Sequence, residues 1–229
     1  MSETKVLTIA VVLCQGVTTL DYQGPMEILE AASTNSLGGQ MITAIPGLPQ
    51  PKVKFECEFV AESREPIRGT SGPLIVATKT FDEVSSKQFD IVLVPAGTAS
   101  INPESIPKSV AAFLQAQVPG AQYVLSVCGG SWTLATLGFL DGKRATTNKS
   151  FFNQIKQSTS PSIQWVAKAR WVIDGKFWTS SGVTAGQDMA YEFLKTVTGP
   201  EFATAAKNMV ELRAAGADDD EFAGVFGLA

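Results

Sequence analysis

The sequence contains no histidine, and that absence excludes more than any other count. A Cys-His dyad, a Ser-His-Asp triad and any histidine-ligated metal are out of reach within the chain. Cysteine is scarce as well. Cys14, Cys57 and Cys128 are odd in number and scattered, which gives neither a disulfide framework nor a zinc site. Such usage suits a reducing compartment, and the cytoplasm is the expected location. Charged residues make up only 17% of the chain, the formal net charge is −4, and there is no basic block. No nucleic-acid partner is therefore expected. No apolar run approaches the ~20 residues that a membrane span needs, so no membrane partner is expected either. The first such run, Val6 to Leu13, follows Glu3 and Lys5; it is short and reads as a strand, not as a signal peptide.

What is present is enough apolar residue to build a large core, 45% of 229 residues. Buried-strand patterns recur at Lys5–Leu13, Phe55–Ala61, Asp90–Val94 and Val124–Val127. Between them lie expected helices at Met26–Ala32, Thr80–Ser86 and Pro103–Gln117, a loop over Asn35–Pro51, and a hairpin over Glu65–Thr78. Further helices are expected at Ser131–Gly138, Lys149–Gln157, Gln187–Thr198 and Pro200–Ala214. Strands are expected at Ile163–Val166, Ala169–Ile173 and Phe177–Thr179, the last two joined at Asp174-Gly175. Strands that alternate with helices imply an α/β fold: a three-layer sandwich with a mostly parallel sheet and helices on both faces. Without a linker to divide the chain, residues 1–229 read as a single domain ending in an acidic C-terminal tail, 215–229.

The stretch Val124-Leu125-Ser126-Val127-Cys128-Gly129-Gly130-Ser131-Trp132 carries the strongest chemical signal. A β-branched strand runs into a cysteine, two glycines allow a sharp turn, and a helix follows. This is the pattern of a nucleophile elbow, with cysteine in place of serine. A helix N-terminus behind the sulfur would favour the thiolate and lower its pKa. A buried thiol at a strand end explains the same residues equally well. Asp21 falls in the loop after the first strand, at the carboxyl edge where open α/β sheets bind ligands, although a turn residue there is equally ordinary. Thr18 and Tyr22 flank it and are candidates to line a pocket. Pro95-Ala96-Gly97-Thr98 forms a second small-residue loop at that edge, whose N–H groups suit an anionic intermediate. Trp132 reads as core packing, and Asp188 as a charge complementing a helix N-terminus.

Several segments resemble the ThiJ/PfpI superfamily, whose sandwich is related to class I glutamine amidotransferases. They are Leu20-Asp21-Tyr22-Gln23-Gly24-Pro25, Val94-Pro95-Ala96-Gly97, Ser126-Val127-Cys128-Gly129-Gly130, Leu137 to Thr147 and Trp178 to Ala190. The first and last of these look most like the isocyanide (isonitrile) hydratase branch. The resemblance implies that Cys128 is the nucleophile and Asp21 the acid/base that hydrogen-bonds it, with Ala96, Gly97 and Gly129 forming an N–H pocket beside the sulfur. It implies hydration of an isocyanide to an N-substituted formamide through a Cys128 thioimidate, on a small electrophilic substrate, with no cofactor and no metal, in a homodimer. The family usually has a histidine after the Ala-Thr-Thr stretch, where this chain has Asn148, and a glycine where it has Ala96. Two alternatives stand beside the hydratase: a glyoxalase or deglycase acting on a reactive aldehyde, and a non-catalytic cysteine redox sensor.

Overall fold

The computed structural model describes residues 4–98 and 105–228. In chain order the first half comprises β1 (Lys5–Val12), α1 (Thr19–Leu29), α2 (Leu37–Thr43), β2 (Val53–Ala61), the hairpin β3 (Ile67–Arg68) and β4 (Leu74–Ile75), β5 (Lys79–Thr80), β6 (Ile91–Val94) and α3 (Lys108–Gln117). The second half comprises β7 (Tyr123–Ser126), α4 (Gly130–Thr136), β8 (Arg144–Ala145), α5 (Phe152–Ser158), β9 (Gln164–Trp165), β10 (Trp171–Asp174), β11 (Phe177–Ser180), α6 (Ala185–Thr198), α7 (Pro200–Met209) and α8 (Phe222–Val225). Among the described residues the main sheet has the order β10-β11-β7-β6-β1-β2-β5. Its pairings are parallel except for β10 with β11.

Side chains alternate across the sheet with the period of two that a strand imposes. Leu7, Ile9 and Val11 of β1, with Ile91 and Leu93 of β6, enter one core together with Met26 and Leu29 of α1, Met189 and Phe193 of α6 and Phe202 of α7. Ala10, Val12, Val92 and Val94 face the other way and meet Val110, Phe113 and Leu114 of α3 and Leu134 of α4. Helices therefore cover both faces, and the central strands are apolar on both sides because neither side meets water. The α/β sandwich expected from the alternation is the observed fold.

Local departures have local causes. Helix α1 begins at Thr19, so Asp21 lies in its first turn and not in the preceding loop, and Pro25 is inside the helix. The expected loop over 35–51 contains α2, started by Ser36, whose side chain accepts from the Gly39 N–H at 3.0 Å. Residues 81–86 form turns, not a helix. Helix α3 starts at Lys108; residues 103–104 of the expected span lie outside the described residues. Helix α7 stops at Met209, before the left-handed Glu211 (φ 52°), and does not reach Ala214. The expected strand at 163–166 pairs through β9 with β8, apart from the main sheet. Asp188 does more than complement a helix end. It forms a buried ion pair with Arg170 (2.6 Å to Nη2) and accepts the Ala215 N–H at 2.9 Å.

Candidate active site

Strand β7 delivers Cys128 to the carboxyl edge of the sheet in a backbone conformation that few side chains adopt. Its φ is 58°, and Glu211 is the only other non-glycine with positive φ among the described residues. Such a conformation costs about 1–2 kcal/mol and persists only where the surroundings enforce it. Here the Cys128 N–H donates to the Ser181 carbonyl at 2.8 Å. Its own carbonyl accepts from the hydroxyls of Ser131 and Thr147, each at 3.1 Å. Ser131 and Thr147 are fully buried, and this anchoring accounts for their polar groups in the interior. Gly130 lets α4 press onto β6, since a Cβ there would sit 2.0 Å from the Val94 carbonyl oxygen.

Asp21 is fully buried, close enough to the cysteine for its charge to act on the thiol. Its Oδ2 accepts the Ala96 N–H at 2.9 Å, while Oδ1 has no hydrogen-bond partner among the described residues. Burial pushes this carboxyl up to about 7 against the opposing pull of the Ala96 N–H. The Cys128 thiol is pushed up to about 12, first by burial and then by the Asp21 charge. Hydrogen bonds from Asn148 and from the Gly129 N–H act the other way without prevailing. The lowered thiol expected from the helix N-terminus is thus overturned: a seven-residue helix does not offset desolvation beside a carboxylate. The pair rests as a thiol beside a carboxyl that titrates near neutrality. Two further expectations change. The Ala96 N–H serves Asp21 and is not free for an intermediate. The implied hydrogen bond between Asp21 and Cys128 is not made, and the two act on each other through charge.

Asn148 occupies the place of the usual histidine and touches the sulfur, with Nδ2 donating to Sγ at 3.1 Å. Its orientation is fixed chemically. Oδ1 accepts from the Ser150 N–H at 2.9 Å and the Ser150 hydroxyl at 2.6 Å, so the NH2 end must face Cys128. Asn148 is consequently a donor that does not titrate.

A cavity of about 120 Å³ opens onto the sulfur, lined by Thr18, Gly97, Cys128, Gly129, Trp132 and Phe151 among others. This is below the ~300–1,000 Å³ of a typical ligand site, and its walls are mostly apolar. Thr18, Ala96, Gly97 and Gly129 are gathered here as the motifs suggest. Tyr22 is not; it lies in the core with its ring edge-on to Phe59 at 6.1 Å. Position 22 is the residue after Asp21 on a helix, and adjacent helical residues do not share a face. Trp132, read as core, both packs and lines the cavity, and its indole N–H has no hydrogen-bond partner among the described residues. Phe151 and Ile155 also line it and escaped the sequence reading. Their closeness to Asn148 was the available signal.

A mostly parallel sheet that presents a cysteine on a strained elbow beside a buried carboxylate defines a class of α/β protein. Residues 7–196 match the DJ-1/PfpI family, and the chain belongs to that family. It is 29% identical to an isonitrile hydratase of Pseudomonas putida over 206 residues, 90% of this chain and 78% of the relative. It is 30% identical to a deglycase of Pyrococcus horikoshii over 130 residues, 57% of this chain and 75% of the relative. The crystal structure of Drosophila melanogaster DJ-1beta superposes with a TM-score of 0.72 at 18% identity, over 92% of this chain and 99% of that one; this is a likeness of fold.

Proposed function

We propose that the protein is a cysteine-dependent hydratase that adds water to a small isocyanide and releases an N-substituted formamide. The observation that carries the reading is the Cys128–Asp21 pair: a thiol next to a carboxyl pushed up to about 7, in a small apolar cavity, in a chain without an imidazole. The hydratase relative, matched over 90% of the chain, supports it. In the carboxylate form, once a bound substrate or one bridging water brings the two within hydrogen-bond reach, Asp21 takes the thiol proton on its Oδ1 as the sulfur bonds to the terminal carbon of R–N≡C. That proton passes to the same carbon and leaves a thioimidate, R–N=CH–S–Cys128. Water then adds, its oxygen to carbon and one proton, relayed by Asp21, to nitrogen. The adduct R–NH–CH(OH)–S–Cys128 collapses, the C–S bond breaks, the hydroxyl proton returns to sulfur, and R–NH–CHO departs. The Asn148 NH2 and the Gly129 N–H stabilise the sulfur when it is charged.

Deglycase and glyoxalase chemistry needs a proton moved between adjacent carbons, and with Asn148 in place the site has one titrating carboxyl for that task. We further propose that the protein works in the cytoplasm as a homodimer, its three cysteines remaining free; light scattering on a sizing column reads the oligomer. The central test incubates the protein with a small alkyl isocyanide and with methylglyoxal and follows formamide and aldehyde. Formamide from the wild type, and none from Cys128→Ala or Asp21→Asn, is the expected result. Full activity in either variant sinks the mechanism, and turnover of methylglyoxal alone transfers the assignment to the aldehyde enzymes.

A further inference from the structure

The segment Thr146-Thr147-Asn148-Lys149 is bonded on one side to the elbow and on the other to the C-terminal tail. Toward the elbow, Thr147 donates to the Cys128 carbonyl and Asn148 to the Cys128 sulfur, each at 3.1 Å. Toward the tail, Lys149 meets Asp220 at 3.1 Å, and both side chains are almost wholly buried, 2% and 1% exposed. The Lys149 ammonium also donates to Thr146 Oγ1 at 2.7 Å and to the Ala169 carbonyl at 2.8 Å. Asp220 Oδ1 accepts the Phe222 and Ala223 N–H groups at 2.9 and 3.1 Å, which ties the pair to α8. The tail is docked a second time through the Arg170 N–H, which donates to the Ala217 carbonyl at 2.7 Å. Phe222 and Phe226 wall a separate cavity of about 300 Å³ whose other side includes Asn148 and Lys149. The acidic C-terminal tail thus includes one residue that neutralises an interior lysine next to the residue that touches the sulfur.

We propose that Asp220, acting through Lys149, is a positioning residue for Cys128: the C-terminal segment fixes the 146–149 loop and so holds the Asn148 amide on the sulfur. Three observations converge on this. A buried ammonium without its counter-charge is strongly unfavourable, so neutralising Asp220 removes the contact that holds a charged Lys149 in its present place. Lys149 adjoins Asn148 directly in the chain. Asn148 is half-buried and anchored through Ser150, so its amide reaches the sulfur from the backbone course of this loop. The inference takes Cys128 as the reactive sulfur of the proposed reaction, but its test uses no isocyanide, so either idea can fail alone.

The test measures the rate at which iodoacetamide alkylates Cys128 at pH 8, read on the Cys128 peptide by mass spectrometry, with folding checked by circular dichroism. Asn148→Ala should slow alkylation ~10–100-fold, the worth of one hydrogen bond to a charged sulfur. Asp220→Asn, which keeps an acceptor for α8 but removes the charge, should slow it ~10-fold. The double variant should be no slower than Asn148→Ala alone, because both changes remove the same contact. An unchanged rate in Asp220→Asn, or losses that multiply in the double variant, overturns the proposal. If Asp220→Asn does not fold, Lys149→Met with Asp220→Leu, which removes both charges, is measured by the same criteria.

Discussion

Replacing Asp21 by asparagine removes a buried carboxyl while keeping its shape and its acceptor for the Ala96 N–H. The folded state holds the proton of Asp21 more tightly than the unfolded chain does, since burial moves the carboxyl from its ordinary 3.8 to about 7. Below the unfolded value both states are protonated and the wild type carries no penalty. As pH rises toward 7 the unfolded chain ionises first, and the native state loses about 1.4 kcal/mol per pH unit relative to it. Above 7 both are ionised and the loss levels off at about 4 kcal/mol. Asp21→Asn escapes this, so it should match the wild type near pH 4 and gain steadily to a plateau at pH 8. For a chain of this size about 4 kcal/mol is roughly 8–16 °C in melting temperature. Thermal melts of both proteins from pH 4 to pH 9 measure the difference. A gap that does not vary with pH, or a variant less stable than the wild type at pH 8, refutes the claim that Asp21 is held above its ordinary range by burial. Greater stability joined to lost activity would mark Asp21 as a residue kept for chemistry.

The same geometry makes further predictions. Because the carboxylate form of Asp21 receives the thiol proton, kcat/KM should rise with pH through about 7; a profile flat from pH 5 to 9 contradicts that role. Cys128 has a φ of 58°, so Cys128→Gly should be more stable than Cys128→Ala. Relief of about 1–2 kcal/mol of strain is offset in part by ~0.4–1 kcal/mol of added chain entropy, leaving about 1 kcal/mol in urea melts; equal midpoints would show the elbow to be unstrained. Gly130→Ala drives a Cβ to 2.0 Å from the Val94 carbonyl and should cost about 3 kcal/mol or more; a melt like that of the wild type would refute the tight packing of α4 on β6.

The fold was readable because buried parallel strands are nearly continuous apolar runs, and Lys5–Val12, Ile91–Val94 and Tyr123–Ser126 all fall where such runs occur. The elbow was readable because its backbone demands small residues at fixed places. Asp21 was assigned to the correct edge but the wrong element. The helix is expected only from Met26, and Thr18, the true N-cap, makes no side-chain cap that would announce an earlier start. The protonation of the site was not readable. It depends on how deeply Asp21 and Cys128 are buried and on the charge between them, which are three-dimensional quantities. Nor were the buried pairs Lys149–Asp220 and Arg170–Asp188, since charges far apart in the chain look like any solvated surface residue until the fold brings them together.

The strand order has a consequence for how this site comes into being. Asp21 follows β1, Ala96 follows β6 and Cys128 follows β7, while Ser181 follows β11, and these strands are neighbours only in the order β11-β7-β6-β1. Parallel neighbours cannot be joined by a hairpin; each pairing closes a long crossover, and such pairings form late in folding. No fragment of the sheet can hold the thiol in its final surroundings. On refolding from denaturant, Cys128 should stay open to a thiol trap until the central strands have assembled, then become shielded in the same kinetic phase in which the tryptophan signal reaches its native value.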